Sequence, residues 1–188
     1  MIPVREALNR LVARGLVQRD PNRGMFVVQL SVEELELILE VRIRLEGLVA
    51  RLACTRAIPD ELKALQKIVV SMAKALERKD WLQYAEADSR FHQKLWTCAR
   101  NPFLERCLNS IMLPWFGYQM ASGVLSIESE YQTIPALHKQ IVDAIESGDA
   151  ERAEESITIL SSCMRTFLAT KKSATSPSVE NGRASDTV

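Results

Sequence analysis

The stretch from 81 to 99 most constrains the fold, because polar side chains fall on the apolar face of its predicted helix. Asp88 and His92 lie one helical turn apart on that face. A buried carboxylate and a buried imidazole are costly unless they are hydrogen-bonded, paired or bound to a metal. The stretch therefore predicts either a satisfied Asp–His pair or a ligand site in a helical bundle. Helical spacing places the following residues on the same face: Trp81, Tyr84, Ala85, Phe91, Leu95 and Ala99.

Charge is distributed unevenly along the 188 residues, although the formal net charge is zero. Residues 1–30 carry five arginines against Glu6 and Asp20, a surplus of three positive charges that the remainder balances. A basic head on an acidic body fits contact with a polyanion. The overall composition, 47% hydrophobic and 26% charged, is typical of a globular protein with one core and a small extra module.

The cysteines lack any CxxC or zinc-finger spacing and fall in helical patterns, which predicts reduced core thiols in a cytosolic protein. They are Cys54, Cys98, Cys107 and Cys163. No apolar run approaches the length of a membrane span, and the N-terminus lacks a signal-peptide pattern. The sequence therefore predicts a soluble cytoplasmic protein.

Most of the chain reads as amphipathic helices separated by Pro, Gly and capping residues. A Ser31 capping box opens a long helix, Pro114 is predicted to kink or end another, and Asp149 caps the last. Predicted helices run over 3–14, 31–57, 59–78, 81–99, from 102, 135–147 and from 150. Residues 16–28 predict a β-hairpin, 123–132 a loop, and 173–188 a disordered tail.

The N-terminal motifs are Pro3-Val4-Arg5-Glu6-Ala7-Leu8, Arg10-Leu11, Gly15-Leu16-Val17 and Arg23-Gly24. They resemble the recognition helix and wing of GntR-type bacterial transcription regulators. The chain that follows, to about Leu168, resembles the helical effector domain of their FCD (FadR C-terminal domain) branch. The resemblance implies an antiparallel all-α bundle of six to seven helices, preceded by part of a winged helix-turn-helix.

The resemblance also implies a division of labour along the chain. Residues 1–30 would be the DNA-binding head, and residues 31–172 the effector-binding and dimerisation domain. Two helices that precede the recognition helix in the family are missing, so the predicted head is incomplete. A start codon assigned too far downstream, a fragment of a longer protein, or a function without DNA binding would each account for this. DNA contacts are expected from Arg5, Arg10, Arg23 and the backbone near Gly24.

Arg42 interrupts the apolar face of the long helix one turn before Glu46, whereas Arg44 points the other way. The two residues can form an i, i+4 ion pair at the edge of the core. Alternatively, the planar guanidinium awaits a carboxylate ligand within the bundle. The resemblance favours this second role, because the R-x-x-x-E signature of the family matches Arg42 and Glu46.

A metal site is predicted from Asp88, His92 and His138, whose oxygen and nitrogen atoms suit a divalent transition metal such as Zn, Ni or Mn. In metal-binding FCD domains the matching pattern is D-x-x-F-H, a later His, and a further His on the last helix. Leu160 stands where that last histidine is expected. The metal-free alternative has Arg42, His92 and His138 holding an organic anion directly.

These observations predict a cytoplasmic, homodimeric regulator that binds operator DNA and senses a small organic carboxylate. The expected effector residues are Arg42, Glu46, Asp88, His92 and His138. A carboxylate-binding helical protein without DNA-binding activity is the alternative, because the head is incomplete. An enzyme using the open metal site is the third class. We do not expect it, because the sequence has no phosphate loop and no serine placed with a base.

Overall fold

The computed structural model describes residues 2–13, 16–22, 24–122 and 133–175. Within these ranges the chain forms seven helices and one two-stranded antiparallel hairpin, which confirms the predicted all-α class. In chain order the elements are α1 (Ile2–Ala13), β1 (Val17–Asp20), β2 (Gly24–Val27), α2 (Val32–Arg56), α3 (Pro59–Glu77), α4 (Trp81–Cys98), α5 (Pro102–Ser122), α6 (Ile134–Ser147) and α7 (Ala150–Thr175).

The helix starts follow the capping chemistry of the sequence. The Ser31 hydroxyl accepts from the Glu34 backbone N–H at 3.1 Å, and the Ser31 N–H donates to the Glu34 carboxylate at 2.8 Å. This reciprocal capping box satisfies two donors that a helix start leaves without partners. Asp149 likewise accepts from the backbone N–H of Arg152 at 3.0 Å. The predicted starts of α2 and α7 are confirmed.

The ends of α5 and α7 depart from the sequence prediction. Helix α5 continues through Pro114 to Ser122, so Pro114 does not end it. Burial of Trp115 and Phe116 in the core explains this, because tertiary packing outweighs the hydrogen bond lost at one proline. Helix α7 continues to Thr175, so residues 173–175 are helical rather than disordered. No Gly or Pro intervenes there to stop it. The predicted loop 123–132 and the rest of the predicted tail, 176–188, lie outside the described residues.

Cysteine burial also differs in part from the prediction. All four thiols are free, but only Cys98 is buried and Cys54 half-buried, whereas Cys107 and Cys163 are exposed. The last two lie on the outer faces of α5 and α7, so reading them as core thiols was wrong. Burial, the largest influence, raises the pKa of Cys98 to about 11.

The head packs on the bundle through the hairpin and α5. Strand β1 pairs antiparallel with β2, with Val17 opposite Val27 and Asp20 opposite Gly24. Gly24 has φ +83°, which a glycine adopts without strain at the tip of the wing. A methyl carbon of Leu16 lies 2.8 Å from where a Cβ on Gly117 would stand, so any larger residue at 117 would require the Leu16 side chain to move.

Candidate metal and effector site

A buried polar cluster lies at the centre of the bundle, where α2, α4 and α6 meet. Each of its five residues is at most 6% exposed. The structure thus brings together every effector and metal residue expected from the sequence. They are Arg42 and Glu46 on α2, Asp88 and His92 on α4, and His138 on α6.

Arg42 and Glu46 form the i, i+4 ion pair that the spacing allows. Arg42 Nε donates to Glu46 Oε2 at 2.8 Å, and the pair is buried in the core rather than placed at its edge. Arg42 Nη2 also lies 2.7 Å from Nε2 of His92. The Arg42 guanidinium therefore connects α2 to α4, because it contacts Glu46 on one helix and His92 on the other.

Glu46 has both carboxylate oxygens engaged by the protein. Oε1 accepts from the Trp96 indole N–H at 2.9 Å and lies 2.8 Å from His92 Nδ1. Burial alone would raise the pKa of Glu46, but the charge of Arg42 and the hydrogen bonds from His92 and Arg42 outweigh it and hold that pKa well below its usual range. Glu46 is thus a permanent anion that orients Arg42 and His92.

The helical stripe on α4 did not include Trp96, so the sequence analysis missed this donor to Glu46. A buried indole N–H needs an acceptor, which was the available signal. Its partner lies on another helix, fifty positions away in the chain. Only the tertiary packing identifies that partner.

Asp88 and the two histidines form the second half of the cluster. Asp88 Oδ1 lies 3.2 Å from His138 Nε2 and 3.8 Å from His92 Nε2. The two Nε2 atoms are 3.4 Å apart. One ligand atom from each of the three residues falls within 4.8 Å of the others, close enough to share a single ion.

The hydrogen bonds of the two imidazoles favour the tautomer that binds a metal through Nε2. His138 Nδ1 donates to the backbone carbonyl of Ile134 at 2.9 Å, and His92 Nδ1 donates to Glu46. When both rings are neutral, Nε2 of each carries a lone pair facing Asp88. Histidine ligands are held in this way by a carbonyl or a carboxylate behind the ring. The donor set and its supports therefore suit a divalent transition metal.

Arg42 competes with a metal ion for His92. Its Nη2 lies within hydrogen-bonding distance of His92 Nε2, whose lone pair would also have to bind the metal. Burial, the largest influence, lowers the pKa of His92; the Glu46 charge opposes this, and Arg42 adds to the lowering. His92 is thus kept as a neutral acceptor, which either Arg42 or a metal ion can engage.

The last helix contributes no nitrogen ligand among the described residues. Leu160 is buried on α7 as part of the hydrophobic core. Its alkyl side chain has no atom that can coordinate a metal. Any further ligand of a metal bound here would therefore have to be a group other than Asp88, His92 and His138.

The expected DNA contacts lie on the head, outside this cluster. Arg5 is exposed, and Arg10 is exposed with its guanidinium 3.8 Å from Glu6. Gly24 is exposed at the tip of the hairpin. Arg23 lies outside the described residues. The described helices include none long and apolar enough to cross a membrane.

Two protein families match this chain. The FCD domain matches residues 34–160, and the gntR family of bacterial regulatory proteins matches residues 1–27. The chain belongs to the FCD branch of the GntR family. The FCD match spans nearly all of α2, helices α3 to α6 and the first part of α7, and therefore contains the whole buried cluster.

Curated relatives of this FCD protein are regulators of transcription. A probable D-xylose utilization operon transcriptional repressor from Paenarthrobacter nicotinovorans is 31% identical over 157 residues, covering 83% of this chain and 67% of the relative. An HTH-type transcriptional regulator from Agrobacterium vitis is 44% identical over 100 residues, covering 52% of this chain and 58% of the relative. The FCD protein thus spans about three fifths to two thirds of these relatives.

Solved structures show the same fold. The Escherichia coli protein McbR/YncC aligns with a TM-score of 0.80 at 21% identity, covering 90% of this chain and 85% of that one. The families and relatives matched by the FCD protein are transcriptional regulators, not enzymes.

Proposed function

We propose that this FCD protein is a homodimeric, DNA-binding regulator that senses a small organic acid in the buried cluster. The observation that carries the proposal is the concentration of five ionisable residues, none more than 6% exposed, at the junction of three helices. Burying so many polar groups costs stability relative to apolar packing, so their placement favours a ligand-binding role.

Arg42 is the proposed carboxylate receptor. Its planar guanidinium offers paired N–H donors of the geometry that a carboxylate accepts. Glu46, fixed by Trp96 and His92, holds the Nε end of the guanidinium in place. The Nη groups then engage an incoming acid, while Glu46 acts as a positioning residue.

Asp88, His92 and His138 are the proposed metal ligands, through Asp88 Oδ1 and the two Nε2 atoms. A bound Zn, Ni or Mn ion would supply open coordination positions for an acid oxygen. Without the metal, Arg42 holds the anion by charge-assisted hydrogen bonds, and His92 and His138 join it when their Nε2 atoms carry a proton. Both versions use the same side chains and the same junction of helices.

The regulatory output depends on the head. An acid shifts the protein between two arrangements only through its different affinity for each. In a dimer, Arg5, Arg10 and Arg23 of two heads would meet two operator half-sites related by two-fold symmetry, in the cytoplasm.

A thermal-shift screen of short organic acids, with and without Zn²⁺ or Ni²⁺, tests the effector site. We expect stabilisation of the wild-type protein and its loss in Arg42→Gln, because a ligand stabilises in proportion to its binding. Arg44→Gln, an exposed arginine on the same helix, is the matched control. The double variant Arg42→Gln with Glu46→Gln removes the buried charge pair together and guards against misfolding. Equal acid-induced shifts in all variants would refute the site.

A separate experiment tests the DNA role. Binding to the intergenic DNA beside its own gene is measured at two salt concentrations, against unrelated DNA. We expect selective, salt-sensitive binding that Arg5→Ala and Arg10→Ala weaken. Absence of selective binding would contradict the DNA-binding part and leave a carboxylate-binding helical protein.

A further inference from the structure

One buried donor of the bundle has no partner. The indole N–H of Trp115 is the single buried side-chain N–H or O–H, among the described residues, without a hydrogen-bond acceptor. The side chain is 2% exposed, so the N–H is shielded from bulk water. Buried polar groups in native proteins nearly always have partners, so an orphaned one calls for an explanation.

Trp115 belongs to a fourth wall of the polar cluster, contributed by α5. The guanidinium carbon of Arg42 lies over the Trp115 ring, 5.8 Å from its centroid. The next residue, Phe116, stacks beside His92 at 6.3 Å between centroids, with an interplanar angle of 29°. The orphaned donor is therefore in a ring that borders the proposed carboxylate receptor.

We propose that Trp115 determines effector specificity by donating its indole N–H to a second oxygen of the acid held at Arg42. This inference rests on the effector site proposed above. Because the guanidinium lies over the face of the indole, and the N–H points outward in the ring plane, the two donors address different acceptors. A carboxylate whose two oxygens are both engaged by Arg42 leaves the indole N–H for a further oxygen of the same ligand.

The ligand class follows from these two donors. It is a short organic acid that carries a hydroxyl, keto or second carboxylate oxygen a few bonds from the first carboxylate. A plain alkanoic acid of the same length satisfies Arg42 but leaves Trp115 unpartnered. A site with a buried donor rejects such analogues, because binding then leaves the donor desolvated and unpaired.

The experiment compares matched acids on the full chain: propionate with lactate, and butyrate with succinate. Affinities are measured by calorimetry for wild type, Trp115→Phe and Trp81→Phe. The Phe variant keeps an aromatic ring against Arg42 and removes only the indole and its N–H. Trp81 lies half-buried at the start of α4 and serves as the control for a Trp-to-Phe change outside the cluster.

We expect the wild type and Trp81→Phe to bind lactate about tenfold more tightly than propionate, or succinate about tenfold more tightly than butyrate. In Trp115→Phe the preference should disappear while the plain acid binds as before. The ¹⁵N-indole resonance that is missing in Trp115→Phe should move when the preferred acid is added to wild type.

Two results would overturn the assignment: a preference that survives in Trp115→Phe, or equal binding of the paired acids to wild type. In both cases binding that still depends on Arg42 leaves the effector site standing. Absence of binding for all four acids, or binding unaffected by Arg42→Gln, would instead count against the effector site itself and the Trp115 role with it.

Discussion

His92 Nε2 is the atom of the cluster for which Arg42 and a metal ion would compete. Arg42 Nη2 lies 2.7 Å from it, and a metal held by Asp88 and His138 needs the same lone pair. The guanidinium would also place a positive charge beside such an ion. Arginine and metal would therefore compete for His92, and an acid that draws Arg42 onto its own carboxylate would favour the metal.

Replacing Arg42 by Gln should raise the affinity for Zn²⁺ or Ni²⁺ about tenfold or more, because it removes both the competing donor and the adjacent charge. Calorimetric titration in a competing chelator measures the change. Arg44→Gln should match wild type. An unchanged or weaker affinity in Arg42→Gln would mean that the ion does not use His92.

Glu61 links α3 to α4 and gives a separate pH prediction. It pairs with Lys94 at 3.2 Å and Arg100 at 3.0 Å, and it accepts the Ile58 N–H at 3.2 Å. Partial burial would raise the pKa of Glu61, but the Ile58 N–H and the two cations outweigh it and lower the pKa below its usual 4.5. The unfolded chain then binds the proton first on acidification, so this stabilisation is present above pH 4.5 and is lost as pH falls through the lowered pKa.

Glu61→Gln should lower the free energy of unfolding by about 1 kcal/mol at pH 7 and flatten its fall below about pH 5. Urea denaturation at pH 7, 5 and 4 checks both effects. The exposed Glu77→Gln, at the end of the same helix, should show neither. A parallel decline of wild type and Glu61→Gln in acid would rule out this role.

Five residues of the cluster were predictable because each places a polar group on an apolar helical face. That argument works for Arg42, Asp88 and His138, since charge and amphipathic position are both read from the sequence. It fails for Trp96 and Trp115, because a large aromatic ring on a core-facing position is expected without any functional reason. Whether an indole N–H finds a partner depends on the neighbouring helix, and spacing along one helix does not reveal it.

At the scale of elements, the helix starts and most helix ends were predicted to within one residue, and only the ends of α5 and α7 were not. A start depends on local chemistry, as the reciprocal bonds between Ser31 and Glu34 show. An end depends on what the next turn packs against. Helix α5 passes Pro114 because its following aromatic residues are buried, and this is a property of the bundle rather than of the segment.

Ser31→Ala should therefore lower the free energy of unfolding by about 1 kcal/mol, because the Glu34 N–H loses its acceptor. Ser31→Thr keeps a hydroxyl and should cost clearly less. Chemical denaturation of the three proteins provides the comparison. Equal stability of the alanine variant and wild type would show that the box contributes nothing at this junction.

At the scale of the whole molecule, the contact between Leu16 and Gly117 connects the head to the effector domain. Gly117 lies on α5, directly after the two aromatic residues that border the buried cluster. Movement of α5 around an effector would therefore reach the hairpin through this contact. The sequence predicted both domains but not this contact, because a glycine within a helix carries no signal of its partner.

Gly117→Leu should loosen the head, because a side chain there enters the space that Leu16 occupies. Hydrogen exchange should speed up in residues 17–28 and stay unchanged in α4. Adding Leu16→Ala should restore much of the protection of the hairpin amides from exchange, because the smaller side chain leaves room for the leucine at position 117. Unchanged exchange of the hairpin in Gly117→Leu would show that the contact does not hold the head.

The buried cluster also specifies how the helices align. Leucine and alanine faces tolerate a slide of one turn, about 5.4 Å, with modest repacking. The same slide of α4 would separate His92 from Glu46 and Asp88 from His138, leaving charges buried without partners. The polar residues thus fix the register of the helices. Even where no ligand binds, replacing one of them alone would leave a buried charge unpaired, so they would have to be kept or replaced together.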